Sequence, residues 1–176
     1  MCPRLSIALI LTIQLIAGWQ ERPPDEYQVK AAFLFNFAKF VEWPPGAFAD
    51  PAEPLVICVL GEDPFGHALD DAVSGKKIDG RALAIRRISD ARQAKGCRIL
   101  FVSASERKRV LSILASAGEP GVLTVGESDS ATAEGMIVNF IPDGGKVRFT
   151  INVTAAEREQ LRFSSRLLSL AIRVKR

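Results

Sequence analysis

Leu55-Val56-Ile57-Cys58-Val59-Leu60 is an unbroken apolar hexapeptide. It has the length of a strand, and its lack of alternation predicts one buried on both faces, as in a parallel sheet covered by helices on both sides. Upstream, residues 44–54 hold four prolines and read as a loop. Downstream, Gly61-Glu62-Asp63-Pro64 turns the chain into a short helix over 65–73. A loop over 74–80 leads to a partly alternating second strand over 81–88. Residues 89–96 have room for one helical turn, 98–103 form a third strand, and 105–117 a helix with Val110, Leu111 and Leu114 inward. A fourth strand over 121–126 runs into a polar loop, 127–134. Strands over 136–141 and 146–151 flank Pro142-Asp143-Gly144-Gly145, a hairpin turn that makes this pair antiparallel. The whole predicts an α/β fold: a three-layer domain with a mostly parallel sheet, an antiparallel C-terminal hairpin and flanking helices.

Two further segments flank this pattern. Asp25 followed by Gln28 signals a helix start, and a helix is expected over 26–42. Between Ala31 and Val41 only Asn36 and Lys39 are polar. Apolar residues fall at 33, 37 and 40 and at 34, 38 and 41, with Phe35 between the two sets. Such a helix must be covered on most sides, by its own domain or by a partner. Pro44 and Pro45 stop it. At the other end, Thr154 and Glu157 suggest a capping box for a last helix over 155–174. There Phe163, Leu167, Leu170 and Val174 form one apolar stripe, and Leu161, Leu168 and Ile172 a second. Arg158, Arg162, Arg166 and Arg173 would fall within a sector of about 80° at 100° per residue. Such a stripe is either a solvated face or a docking face for an acidic partner or anionic lipid.

The 176 residues suffice for one domain with a proper core, expected over 21–176. A net charge of +3 is too small to imply nucleic-acid binding. Residues 1–20 read as a cleaved signal peptide: Arg4 precedes an apolar run, 5–17, too short to span a bilayer comfortably. An uncleaved anchor is the alternative. No cysteine follows the run, which argues against a lipoprotein anchor. Beyond the signal, Cys58 and Cys97 remain. In an oxidising compartment they favour a disulfide, with two buried thiols as the alternative. A disulfide would favour strand order 2-1-3. It leaves a tension, because Cys58 lies late in its strand and Cys97 just before its own; the strands are staggered or Cys97 lies in a loop folded over the sheet.

No catalytic motif stands out, and no cofactor is implied. There is no Gly-x-Ser-x-Gly elbow, phosphate loop or Gly-x-Gly-x-x-Gly. Two thiols and the lone His67 fall short of a zinc site. Glu62 and Asp63 sit where a phosphoreceiver keeps its metal-binding acids, but the third strand ends Phe101-Val102-Ser103-Ala104-Ser105, with no aspartate to accept a phosphoryl group. Glu127, Ser128, Asp129 and Ser130, past the fourth strand, form a candidate small-molecule site or a solvated connection.

Residues 27–44, from Tyr27 through Phe33, Phe35, Phe37 and Phe40 to Trp43-Pro44, resemble the N-terminal signature of YfiR-like periplasmic regulators. The resemblance continues through Leu123-Thr124-Val125-Gly126, Gly135-Met136-Ile137-Val138-Asn139-Phe140 and Val147-Arg148-Phe149-Thr150-Ile151-Asn152, and ends in Ser164-Ser165-Arg166-Leu167-Leu168-Ser169-Leu170-Ala171. It implies a periplasmic α/β protein, often dimeric and without enzymatic activity. Such a protein lowers cyclic di-GMP by repressing an inner-membrane diguanylate cyclase through that enzyme's periplasmic sensor domain, and an OmpA-like outer-membrane lipoprotein can sequester it. Cys58 and Cys97 match the family's main disulfide; a second pair found in some members is absent here. The expected contact surfaces come from patterning alone: Phe35, Lys39 and Trp43 on the first helix, and Arg158, Arg162, Arg166 and Arg173 on the last. A periplasmic small-molecule module feeding a membrane sensor is the second reading.

Overall fold

The computed structural model describes residues 25–116, 120–127 and 135–175. The expected signal peptide, and Ser128, Asp129 and Ser130 of the expected ligand loop, lie outside these residues. The chain runs α1 (Glu26–Phe40), β1 (Val41–Glu42), β2 (Leu55–Leu60), α2 (Ala68–Val73), β3 (Lys77–Ile78), β4 (Arg81–Ile88), β5 (Ile99–Val102), α3 (Val110–Ser116), β6 (Leu123–Gly126), β7 (Val138–Asp143), β8 (Lys146–Asn152), α4 (Val153–Arg158), β9 (Arg162–Phe163), α5 (Ser165–Leu170) and β10 (Arg173–Lys175). Short 3₁₀ segments, Ala91–Ala94 and Ala104–Arg109, precede β5 and α3.

Eight strands form one sheet in the order β10-β8-β7-β6-β5-β2-β4-β3, and β1 and β9 form a separate antiparallel ribbon. The pairs β4–β2, β2–β5, β5–β6, β6–β7 and β8–β10 are parallel; β7–β8 and β3–β4 are antiparallel. The expected mostly parallel α/β sheet with its C-terminal hairpin is therefore present. The first three long strands stand in order 2-1-3. The hairpin turns on Gly144 and Gly145, both at positive φ, as a tight two-residue turn between twisted strands demands.

Both faces of the central strands are covered. Ile57, Val59, Ile99, Phe101, Leu123 and Val125 point into a core shared with α1, α2 and α5. Cys58, Leu60, Leu100 and Val102 point the other way, into a core with the 91–94 turn and α3. Period two along each strand thus sends alternate residues into two apolar layers, which is why the hexapeptide shows no polar alternation. The disulfide Cys58–Cys97 lies in the second layer, with Cα atoms 5.9 Å apart. Ile57 pairs with Ile99, and Cys97 sits before β5 in a turn where its N–H donates to the Ala94 carbonyl. The cysteine folds over β2 from a loop, and no register shift is needed.

Three local expectations are corrected. The aromatic helix ends at Phe40, and Val41-Glu42 becomes a strand. In α3, Ile113 is buried and Leu111 is 74% exposed, because a 3₁₀ segment starts the helix and rotates its face. The last helix over 155–174 does not exist as one element: α4, β9, α5 and β10 take its place, and Asn152, not Thr154, caps α4 by accepting from the Ala155 N–H.

Candidate interaction groove

Trp43 follows β1 at the point where the chain leaves α1. The ribbon pairs Val41 with Phe163 and Glu42 with Arg162, and the Ser164 N–H donates to the Phe40 carbonyl at 3.1 Å. Two recesses meet at Glu42-Trp43-Pro44. One, about 960 Å³, runs between this turn and the Gln160–Phe163 segment. The other, about 380 Å³, lies toward Lys39, Phe40 and Phe48. Trp43 packs edge-on to Phe48, ring centres 6.4 Å apart. Phe48 is itself covered by the Arg81 guanidinium at 4.0 Å and by Arg98 at 5.2 Å. The Trp43 indole Nε1 is buried and has no acceptor among the described residues. Lys39 and Arg166 both lie over Phe40, each 5.4 Å from its centre, and both are exposed, as is Arg162.

The structure therefore brings together Lys39, Trp43, Arg162 and Arg166. It separates them from the other expected contacts. Phe35 is half-buried beneath Lys76, whose ammonium lies 4.5 Å from its ring centre. Arg158 leaves from α4 into a different cleft, and Arg173 lies on the edge strand β10. The arginines do not form one stripe, because the helix that would align them is broken at residues 159–164. Pro44 and Phe163 belong to the groove but carry no chemistry that sequence reading would flag; only the strand pairing places them there.

Glu127 is not a free ligand group. At the carboxyl end of β6 it accepts from Lys30 Nζ at 2.6 Å and from the Ala104 N–H at 3.1 Å, with its side chain 4% exposed. Lys30 also pairs with Glu26 and lies over the Tyr27 ring. Burial pushes the Lys30 ammonium down, but hydrogen bonds to Glu127 and Glu26 outweigh it and hold the group above the usual lysine range. Burial and the nearby Glu127 raise the Tyr27 phenol. This cluster pins the start of α1 over the sheet and is structural in character. At the neighbouring strand ends the crevice is closed: a Cβ at Gly61 would lie 2.5 Å from Ser105 Oγ, and the Glu62 N–H donates to that hydroxyl at 3.1 Å. Asp63 and Asp70 are held by Arg87, both at 2.6 Å. No cluster of metal-ligating residues occurs among the described residues.

The fold is a mostly parallel sheet with a disulfide-pinned second layer and a cationic, aromatic groove at the β1–β9 ribbon. Residues 27–172 match the YfiR/HmsC-like family model, and the chain belongs to that family. The family comprises periplasmic regulatory proteins of cyclic di-GMP signalling, associated with membrane sensors. No curated protein matches the sequence. Among solved structures, the fold is similar to a conserved domain protein from Vibrio cholerae O1 biovar El Tor, at 14% identity and a TM-score of 0.57. It is also similar to an ABC domain in complex with L-Trp from Streptococcus pneumoniae, at 12% identity and 0.54. Each match covers 82% of this chain, and the chain spans 60% of the length of each neighbour. At these identities the likeness speaks for the fold alone.

Proposed function

We propose that the protein is an exported, non-catalytic regulator whose Trp43 groove grips the periplasmic sensor domain of an inner-membrane diguanylate cyclase and lowers cyclic di-GMP while bound. In this reading residues 1–20 are removed on export and residues 21–176 act as one domain. The protein works as a homodimer, and an OmpA-like outer-membrane lipoprotein relieves repression by sequestering it. The supporting observation is the unspent indole N–H of Trp43, buried between two recesses lined by Lys39 and Arg162, with Arg166 over Phe40 beside them. A buried donor without an acceptor costs about 1–3 kcal/mol, and a partner carbonyl or carboxylate recovers it when the Trp43 ring turns its N–H outward on binding. The cationic rim favours an acidic partner segment. Repression follows only if the groove prefers the sensor's inactive conformation, since equal affinity for both shifts nothing.

The test is the double variant Arg162→Glu with Arg166→Glu in the native host. Cellular cyclic di-GMP is expected to rise to the level of a deletion strain, while the melting temperature changes by no more than about 2 °C, as for exposed substitutions. Full repression by this variant removes the groove as the contact surface.

A further inference from the structure

A separate cleft of about 360 Å³ opens where β8 and β10 finish and β6 and β7 begin. Its floor is apolar: Val122 and Ile137 are buried, and Leu114 reaches in from α3. Two cations line it. Arg158 lies one helical turn after Thr154 on α4, and Lys175 ends β10 beside Asn152. Among the described residues, neither cation has a carboxylate partner.

Three acceptors in the cleft are already engaged. Thr124 Oγ1 accepts from the Ile137 N–H at 3.1 Å, Asn152 Oδ1 from the Ala155 N–H at 3.0 Å, and Glu159 Oε2 from the Gly121 N–H at 3.3 Å. What remains is mostly donor: guanidinium, ammonium, the Thr124 and Thr154 hydroxyl hydrogens and the Asn152 amide, against the second Glu159 carboxylate oxygen. Two cations against the one lining carboxylate, Glu159, leave a net charge of +1. The volume lies at the lower end of the range of ligand sites, about 300–1,000 Å³.

We propose that this cleft binds a small monocarboxylate with an apolar body, its carboxylate between Arg158 and Lys175 and its body on Val122 and Ile137. The site would give the protein a chemical input apart from its protein-contact groove. The test uses phenylacetate and hexanoate as probes, with phenylacetamide and inorganic phosphate as controls, in calorimetry and methyl NMR. At least one carboxylate is expected to bind saturably, shifting the methyl signals of Leu114, Val122 and Ile137. The double variant Arg158→Gln with Lys175→Gln, at two exposed positions, should weaken it about tenfold or more. Phenylacetamide and phosphate should bind far less tightly. No saturable binding of either carboxylate up to about 10 mM overturns the proposal. So does equal binding by the variant, or phosphate binding as tightly as the carboxylates. The Arg162→Glu, Arg166→Glu protein should bind the probe unchanged, so loss of repression and loss of this site are read separately.

Discussion

The segments over 26–42 and 153–175 meet at the β1–β9 ribbon, yet they are assembled by opposite rules. In α1 the pattern and the structure agree: Ala31, Leu34, Phe37 and Ala38 are buried, and the helix starts where Gln28 accepts from the Asp25 N–H. Residues 153–175 also carry a helical repeat, but they fold as helix, strand, helix and strand. Helical periodicity is sufficient only when nothing else competes for the backbone. α1 has burial on most sides and no neighbouring strand to join until Val41. The C-terminal stretch lies beside an unpaired ribbon strand and an open sheet edge, and hydrogen bonds to those replace the helical ones.

The hardest blow to the agreeing end is Phe37→Ala. Phe37 is fully buried and meets Phe33, Phe140 and Phe149, with ring centres 5.1–6.1 Å apart. Its truncation should cost about 4 kcal/mol, as for a large aromatic removed from a core. Urea unfolding should show a lower midpoint with an unchanged slope. A loss under about 1 kcal/mol would mean that α1 does not hold the sheet in this way.

This contrast sets how much the sequence could disclose. Strand positions, the 2-1-3 order and the hairpin were legible because an unbroken apolar run, a cysteine pair and Asp-Gly-Gly each imply one local geometry. The groove was half legible. Lys39 and Trp43 are visible on the aromatic segment, but the periodicity places Arg162 and Arg166 on a helical face that does not form. The break was hard to see because its stop signal uses an unusual residue. The Leu161 N–H donates to the Ala156 carbonyl and the Gln160 N–H to Glu157, a Schellman closure with Gln160 at φ +56° where glycine is usual. The other signals were present in plain form. Ser164-Ser165 suits a helix start, and Ile172-Arg173-Val174-Lys175 alternates with period two. Glu127 is half legible for another reason: polarity past a strand end suggests a ligand site, and the structure pairs this carboxylate with Lys30 inside the fold.

Ser164→Ala sharpens the comparison by its sign. Ser164 Oγ accepts from the Leu167 N–H at 3.3 Å and begins α5. Losing that cap should cost about 1 kcal/mol and speed amide exchange at Leu167. Inside one continuous helix the same change would be stabilising, since alanine is the better helix former. A higher melting temperature would therefore restore the single-helix reading.

Gln160→Gly asks the same question with a smaller effect and the opposite sign. A non-glycine residue at positive φ carries backbone strain, which glycine relieves, while glycine's freer unfolded chain takes part of the gain back. The net expectation is a stabilisation of about 0.5 kcal/mol, measured by chemical unfolding alongside the parent protein. In a continuous helix, glycine at an interior position would instead destabilise by about 0.8–1 kcal/mol relative to alanine. The two architectures thus predict changes of opposite direction from one substitution at an exposed site. Because Leu161, buried beside Ala156, closes the same turn, the stabilised variant should also keep β9 paired with β1. Slower amide exchange across Arg162 and Phe163 would follow, tying the rigidity of the groove to a stop signal seven residues past the start of α4.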